Sequence, residues 1–234
     1  MKRAMKNLGK RINSRRRAFT LIELLVVIAV IATLAGFLFP LAAAAKRHAT
    51  IQRTQAEMAQ IETAIESYKS TYGFYPPDNS SGSLTNQLYY ELTGTLYGSA
   101  NNTYTNLNSS DSLTANAVQN IFNIGGFMNC TKPGADEDSR KAENFLPALK
   151  SGQIGTITSD GTSVKLLVGS VGGPYQNYQP LGRPDLNPWR YKSSGTLTNN
   201  PGSYELWIQI VFKPGQTNLI CNWSKQPQIN NPLP

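Results

Sequence analysis

Histidine and cysteine, from which many metal and nucleophile sites are built, are almost missing from this chain. Its 234 residues include one histidine, His48, and two cysteines, Cys130 and Cys221. A zinc site draws on about four such ligands, so two cysteines alone do not make one. A Ser–His–Asp site would have to recruit His48 from a helical stretch with nothing nearby to activate it. There is no glycine-rich phosphate loop and no H-E-x-x-H. No carboxylate pair stands out for glycoside chemistry. Catalysis is therefore not expected. Charge is also sparse: Asp, Glu, Lys and Arg make 15% of the chain, against about a quarter in ordinary domains. Acids are missing outright from both ends: none precedes Ala18 and none follows Glu205.

What is present first is a basic leader and a long apolar run. Lys2, Arg3, Lys6, Lys10, Arg11, Arg15, Arg16 and Arg17 all precede Ala18. They account for the net charge of +8, because the other 14 Lys and Arg balance the 14 Asp and Glu. A body without excess charge argues against nucleic acid as a partner. A basic leader before an apolar run instead sets the leader in the cytoplasm and the body outside. No charge interrupts Leu24 to Ala45. As a helix that stretch spans roughly 33 Å, enough to cross a bilayer.

Three readings of the run compete. It is a plain signal anchor, a signal peptide cut after Ala43-Ala44-Ala45, or an apolar helix retained after a leader is clipped in front of it. Glu23 separates them. A carboxylate inside the border of a spanning helix costs about 2–3 kcal/mol if central and less near the interface. A discarded signal peptide gains nothing from it, and the run is too long for a signal-peptide core.

The stretch Arg15-Arg16-Arg17-Ala18-Phe19-Thr20-Leu21-Ile22-Glu23-Leu24-Leu25-Val26-Val27-Ile28-Ala29 resembles the class III signal of type IV pilins and type II secretion pseudopilins. The resemblance implies cleavage by a prepilin peptidase between Ala18 and Phe19, then N-methylation of Phe19. It implies that Glu23 is the assembly residue, pairing with the N-terminal amine of a neighbouring subunit. Such a pair suits an apolar setting, where each charge alone would be costly. The family usually has glycine before the cut, and here Ala18 stands there. Gly36 and Pro40 mark an expected kink or unwound stretch.

After the run, Ile51, Met58, Ile61, Ile65, Tyr68 and Tyr72 recur at helical spacing and make one apolar stripe. Gly73 and the prolines of Phe74-Tyr75-Pro76-Pro77-Asp78-Asn79 end that helix. Leu84 to Leu92 and Leu113 to Phe122 read as short helices. Thr95 to Ser112, rich in Asn, Ser, Thr and Gly, reads as a surface loop with exposed Tyr97 and Tyr104. Asp136-Glu137-Asp138 reads as a solvated acidic turn. The last third is β: a hairpin around Asp160-Gly161, then strands over 189–193, 204–212 and 218–223, with an irregular tail from Pro227. Cys130 and Cys221 either pair in a disulfide, which an exported body permits, or remain two separate buried thiols.

The loop after the long helix and the stretch from Gly182 to Leu206 also resemble the major pseudopilin of type II secretion. That protein's acidic calcium loop has no counterpart after Glu205. No cofactor is expected, and calcium on Asp160 or Asp185 is the alternative. The expected organisation is a cleaved leader over 1–18, a membrane and filament-core helix over 19–45, an amphipathic continuation over 46–72, and an α+β body with an antiparallel sheet over 73–234. The implied role is a non-enzymatic subunit of a type II secretion pseudopilus, held in the inner membrane with its body in the periplasm. Its implied partners are copies of itself, prepilin peptidase, the inner-membrane assembly platform and minor pseudopilins. A type IV pilin is the first alternative. A secreted glycan-binding module released after Ala45, or a hydrolase behind a signal anchor, comes from another class.

Overall fold

The structure, a computed structural model, describes residues 19–108, 111–134, 139–159, 161–170, 183, 185–213 and 215–230. The chain divides into two compact units, Met1–Lys46 and Arg47–Pro234.

The described part of the first unit is helical. It belongs to helix α1, Leu21–Tyr72, which is 52 residues long. Its apolar side chains find no core: Phe19 is 79% exposed, and Leu21, Ile22, Leu24, Ile31, Leu34 and Phe37 are all exposed. The helix is long and apolar enough to cross a membrane, and none of its apolar window is buried within the molecule. The backbone is helical through Gly36 and Pro40. Proline in a helix interior costs about 3 kcal/mol, which long flanking turns of Ala and Leu can absorb.

In the second unit the stripe on α1 does what its spacing dictates. Met58, Ile61, Ala64, Ile65 and Tyr68 are buried in the main core, and Ile51 and Tyr72 pack at its margins. The helix ends at Gly73, whose φ of +84° only glycine adopts freely. Its N–H caps the carbonyl of Lys69 at 2.7 Å.

Among its described residues the second unit has three sheets. The first has strands β1 (Thr95–Gly98), β2 (Thr103–Asn106), β3 (Ser112–Thr114) and β4 (Cys130–Thr131), in the order β3-β2-β1-β4. Strands β1 and β4 run parallel. Helices α2 (Leu88–Thr93) and α3 (Ala115–Phe122) flank it in sequence. The second sheet is the hairpin β5 (Ile154–Ser159) and β6 (Thr162–Leu167). The third has β7 (Arg190–Lys192), β8 (Glu205–Lys213), β9 (Gln216–Cys221) and β10 (Ser224–Ile229), antiparallel in the order β10-β9-β8-β7. Strand β8 alternates as expected: Leu206, Ile208 and Ile210 enter the main core. Trp207 faces the other way and packs with Leu219, Cys221 and Trp223.

Three expectations are corrected. The stretch 95–112 is a β-hairpin with a third strand beginning, not a surface loop. Tyr104 is buried at 6% exposure, and Asn106 is buried with its side-chain amide donating to Thr93 Oγ1 at 2.6 Å. Thr and Tyr favour strands, and here their polar atoms find partners inside. The short helix begins at Leu88 rather than Leu84, because Asn86 turns the chain first: its Oδ1 accepts from Leu88 N and its Nδ2 donates to the Trp189 carbonyl. The tail is a strand as far as Ile229, with a register shift between Ser224 and Gln228 that accommodates Pro227. The two thiols are free. Cys130 lies in β4 of the first sheet and Cys221 in β9 of the third, the second of the two arrangements open in the sequence.

Candidate functional site

The first site is the start of α1. Thr20 precedes the helix, and Glu23 stands three residues on. Thr20 Oγ1 accepts from the Glu23 N–H at 3.3 Å. Glu23 Oε2 accepts from the Thr20 N–H at 2.9 Å and from its hydroxyl at 2.8 Å. This is a capping box: two side chains satisfy each other's backbone donors at a helix start, where the first N–H groups have no helical partner. A negative carboxylate also suits the helix's positive end. Glu23 is therefore ordered within its own chain and still exposed. The T-x-x-E spacing was legible in the sequence, although the resemblance directs attention to Glu23 alone. Phe19 is exposed beside it, and Ala18 lies outside the described residues.

A second cluster holds the body together and escapes sequence reading. Glu91 on α2 is fully buried. Its Oε1 accepts from Met128 N–H, and its Oε2 from Asn129 N–H and Tyr68 O–H, each at 3.0 Å. Burial pushes the Glu91 carboxyl up to about 6, against the three donors that pull it down. Asn129 completes the knot. Its Nδ2 donates to the carbonyls of Glu91 at 2.7 Å and Glu143 at 2.6 Å. Its Oδ1 accepts from Tyr72 O–H at 2.8 Å and Glu143 N–H at 2.9 Å. These two side chains thus join α1, α2 and the segments around 128 and 143. The role is structural: the polar groups satisfy one another, and the cluster includes no histidine or lysine.

A groove of about 560 Å³ lies where the loop after α1 meets the 193–203 segment. Lys69 Nζ donates to Tyr75 O–H at 2.9 Å and stands 4.0 Å from the centre of that ring. Nearby, Asp78 accepts from Ser193 N–H, Ser194 N–H and Ser194 O–H. The groove lining offers serines, aromatics and one lysine, without an activated nucleophile–base pair.

Among the described residues no group of three or more His, Cys, Asp or Glu is placed to hold a metal ion. Asp185 is engaged by Arg183, through Nε at 2.9 Å and Nη2 at 2.6 Å. Asp160 and the 136–138 acidic turn lie outside the described residues. His48 is exposed on α1.

Comparison with known proteins places this geometry. The family model for the prokaryotic N-terminal methylation motif matches residues 13–39. The chain is 33% identical over 69 residues to the type II secretion system core protein G of Escherichia coli strain K12, a match covering 30% of this chain. The chain spans about half the length of that relative, 48%. No solved structure matches the chain. The matched methylation motif thus lies on a long apolar helix that is exposed over its first half, and the matched relative is a type II secretion core protein.

Proposed function

We propose that this chain is a structural, non-enzymatic subunit of a type II secretion pseudopilus. It waits in the inner membrane with its body outside. Prepilin peptidase cuts between Ala18 and Phe19 and methylates Phe19. The assembly platform then draws it, with minor pseudopilins, into a helical filament of like subunits that moves folded proteins outward. The observation that carries this reading is the methylation motif continuing into a helix whose membrane-length apolar window is unburied within the molecule. Such a surface needs lipid before assembly and neighbouring helices after it. A stack of identical head-to-tail contacts does not close, as a filament requires. The match to a type II secretion core protein favours the pseudopilus over a surface pilus. Glu23 pairs with the amine of a neighbour in the filament, and Gly36–Pro40 is where the helix opens during assembly.

The test is the N-terminus of the mature protein, read by mass spectrometry from its native membrane. N-methyl-Phe19 is the expected result. A mature chain beginning at Lys46 would instead establish a released, secreted module.

A further inference from the structure

We propose that Asn101, in the turn of the β1–β2 hairpin, is an N-glycosylation acceptor that takes a saccharide from a glycosyl diphosphate. This rests on the reading that the body is exported and does not need the filament.

The acceptor signal is Asn-x-Ser or Asn-x-Thr with x other than proline, and it serves only where the chain is at the surface. The sequence carries it at Asn79, Asn101, Asn108, Asn129 and Asn222. The fold sorts them. Asn129 is buried, and both polar atoms of its side chain are spent in the knot with Glu91, Glu143 and Tyr72. Asn79 is buried too, its Nδ2 donating to the carbonyls of Thr85 and Ile121. Asn222 is half-buried, its Nδ2 donating to the Tyr204 carbonyl and its Oδ1 accepting from Leu206 N–H. Asn108 is exposed, but its Oδ1 accepts from Asn144 Nδ2 at 2.8 Å, and its Ser110 lies outside the described residues. Asn101 is exposed, and its side chain makes no hydrogen bond among the described residues.

The hairpin presents this asparagine. The register pairs Gly98 with Thr103 across the turn, and every residue from Gly98 to Asn102 is exposed. Asn102 stands at φ +50°, a left-handed conformation that asparagine tolerates better than most residues. Its Oδ1 accepts from Tyr97 O–H at 2.7 Å, and its carbonyl from Ala115 N–H at 2.9 Å. The turn is thereby held to the body while Asn101 stands clear of it. Thr103 opens β2, and its hydroxyl makes no hydrogen bond among the described residues, so a transferase can engage it.

The step is a substitution. An amide nitrogen is a weak nucleophile because its lone pair is shared with the carbonyl. The transferase must twist that amide, which an unengaged side chain allows. Asn101 Nδ2 bonds the anomeric carbon as the carbon–oxygen bond to the diphosphate breaks. The diphosphate leaves with the electron pair of that bond, and one amide proton passes to a base of the transferase. Nothing is oxidised or reduced.

The test uses the full chain from its native membrane. Peptides spanning residue 101 are read by tandem mass spectrometry, and protease added to spheroplasts reports where the body lies. A saccharide mass on Asn101 is expected, with Asn79, Asn129 and Asn222 bare. Asn101→Gln and Thr103→Ala should each abolish it, and Thr103→Ser should retain it. Asn101→Gln should leave the body's unfolding midpoint unchanged. A bare Asn101 in a protease-accessible body overturns the proposal. So does a saccharide on Asn108 with Asn101 bare, or one on Asn101 that persists in Thr103→Ala. A body shielded from the protease overturns the exported reading beneath it.

Discussion

Two glutamates, Glu23 and Glu91, show how differently one residue type behaves in this chain. Glu23 is open to its surroundings and holds only its own helix start. Glu91 is sealed among three donors and no cation. The folded chain raises its carboxyl to about 6, whereas the ordinary value is 4.5. The folded form therefore binds that proton more tightly. Its contribution to stability is complete below 4.5 and is lost as pH rises through about 6, to the extent of about 2 kcal/mol. Thermal unfolding at pH 4.5 and pH 7 should show it as a difference of roughly 4–8 °C in a chain of this size. Glu91→Gln should remove that part of the pH dependence while lowering stability at both pH values, because an amide cannot accept from all three donors. A variant with the parent's pH profile would assign the effect to other groups. At the helix start, Thr20→Ala should cost about 1 kcal/mol and release the amides of Leu21 to Glu23 to faster exchange.

Elements were legible where one period governed them. The 51–72 stripe is core because every member sits at helical spacing, and β8 alternates because its two faces meet different partners. The 95–112 stretch was opaque for a physical reason. Its Asn and Thr look like loop residues, but Asn106 and Thr95 are buried with internal partners, which composition does not reveal. Glu91 and Asn129 were hidden likewise: an acid on a short helix normally faces water, and only the fold brings the 128–129 amides to it. The junction of α2 and β1 gives a sharper case. Gly94 has φ +77°, and a Cβ there would lie 2.8 Å from the Glu143 carbonyl oxygen. Gly94→Ala combines a left-handed backbone with a backbone clash and should cost about 1–3 kcal/mol or more, measured by denaturant unfolding. Gly134→Ala, with similar φ and open space around it, should cost less.

For the whole molecule, the two units answer to different solvents. The body has a core of its own, whereas the first half of α1 has none and must borrow one. Glu23→Ala should therefore leave the body's unfolding midpoint unchanged and cleavage before Phe19 intact, while incorporation into sedimentable filaments falls. Unchanged incorporation would remove the assembly role from Glu23. The separated thiols have a consequence for where the body can fold. Cys221 is held up to about 11 by burial and is a poor nucleophile; Cys130 is also raised by burial. No covalent tie waits on an oxidant, so the body reaches its final form without any disulfide-forming catalyst. Its melting curve should be the same with and without reductant, and its yield should be indifferent to the redox poise of the compartment in which it is made.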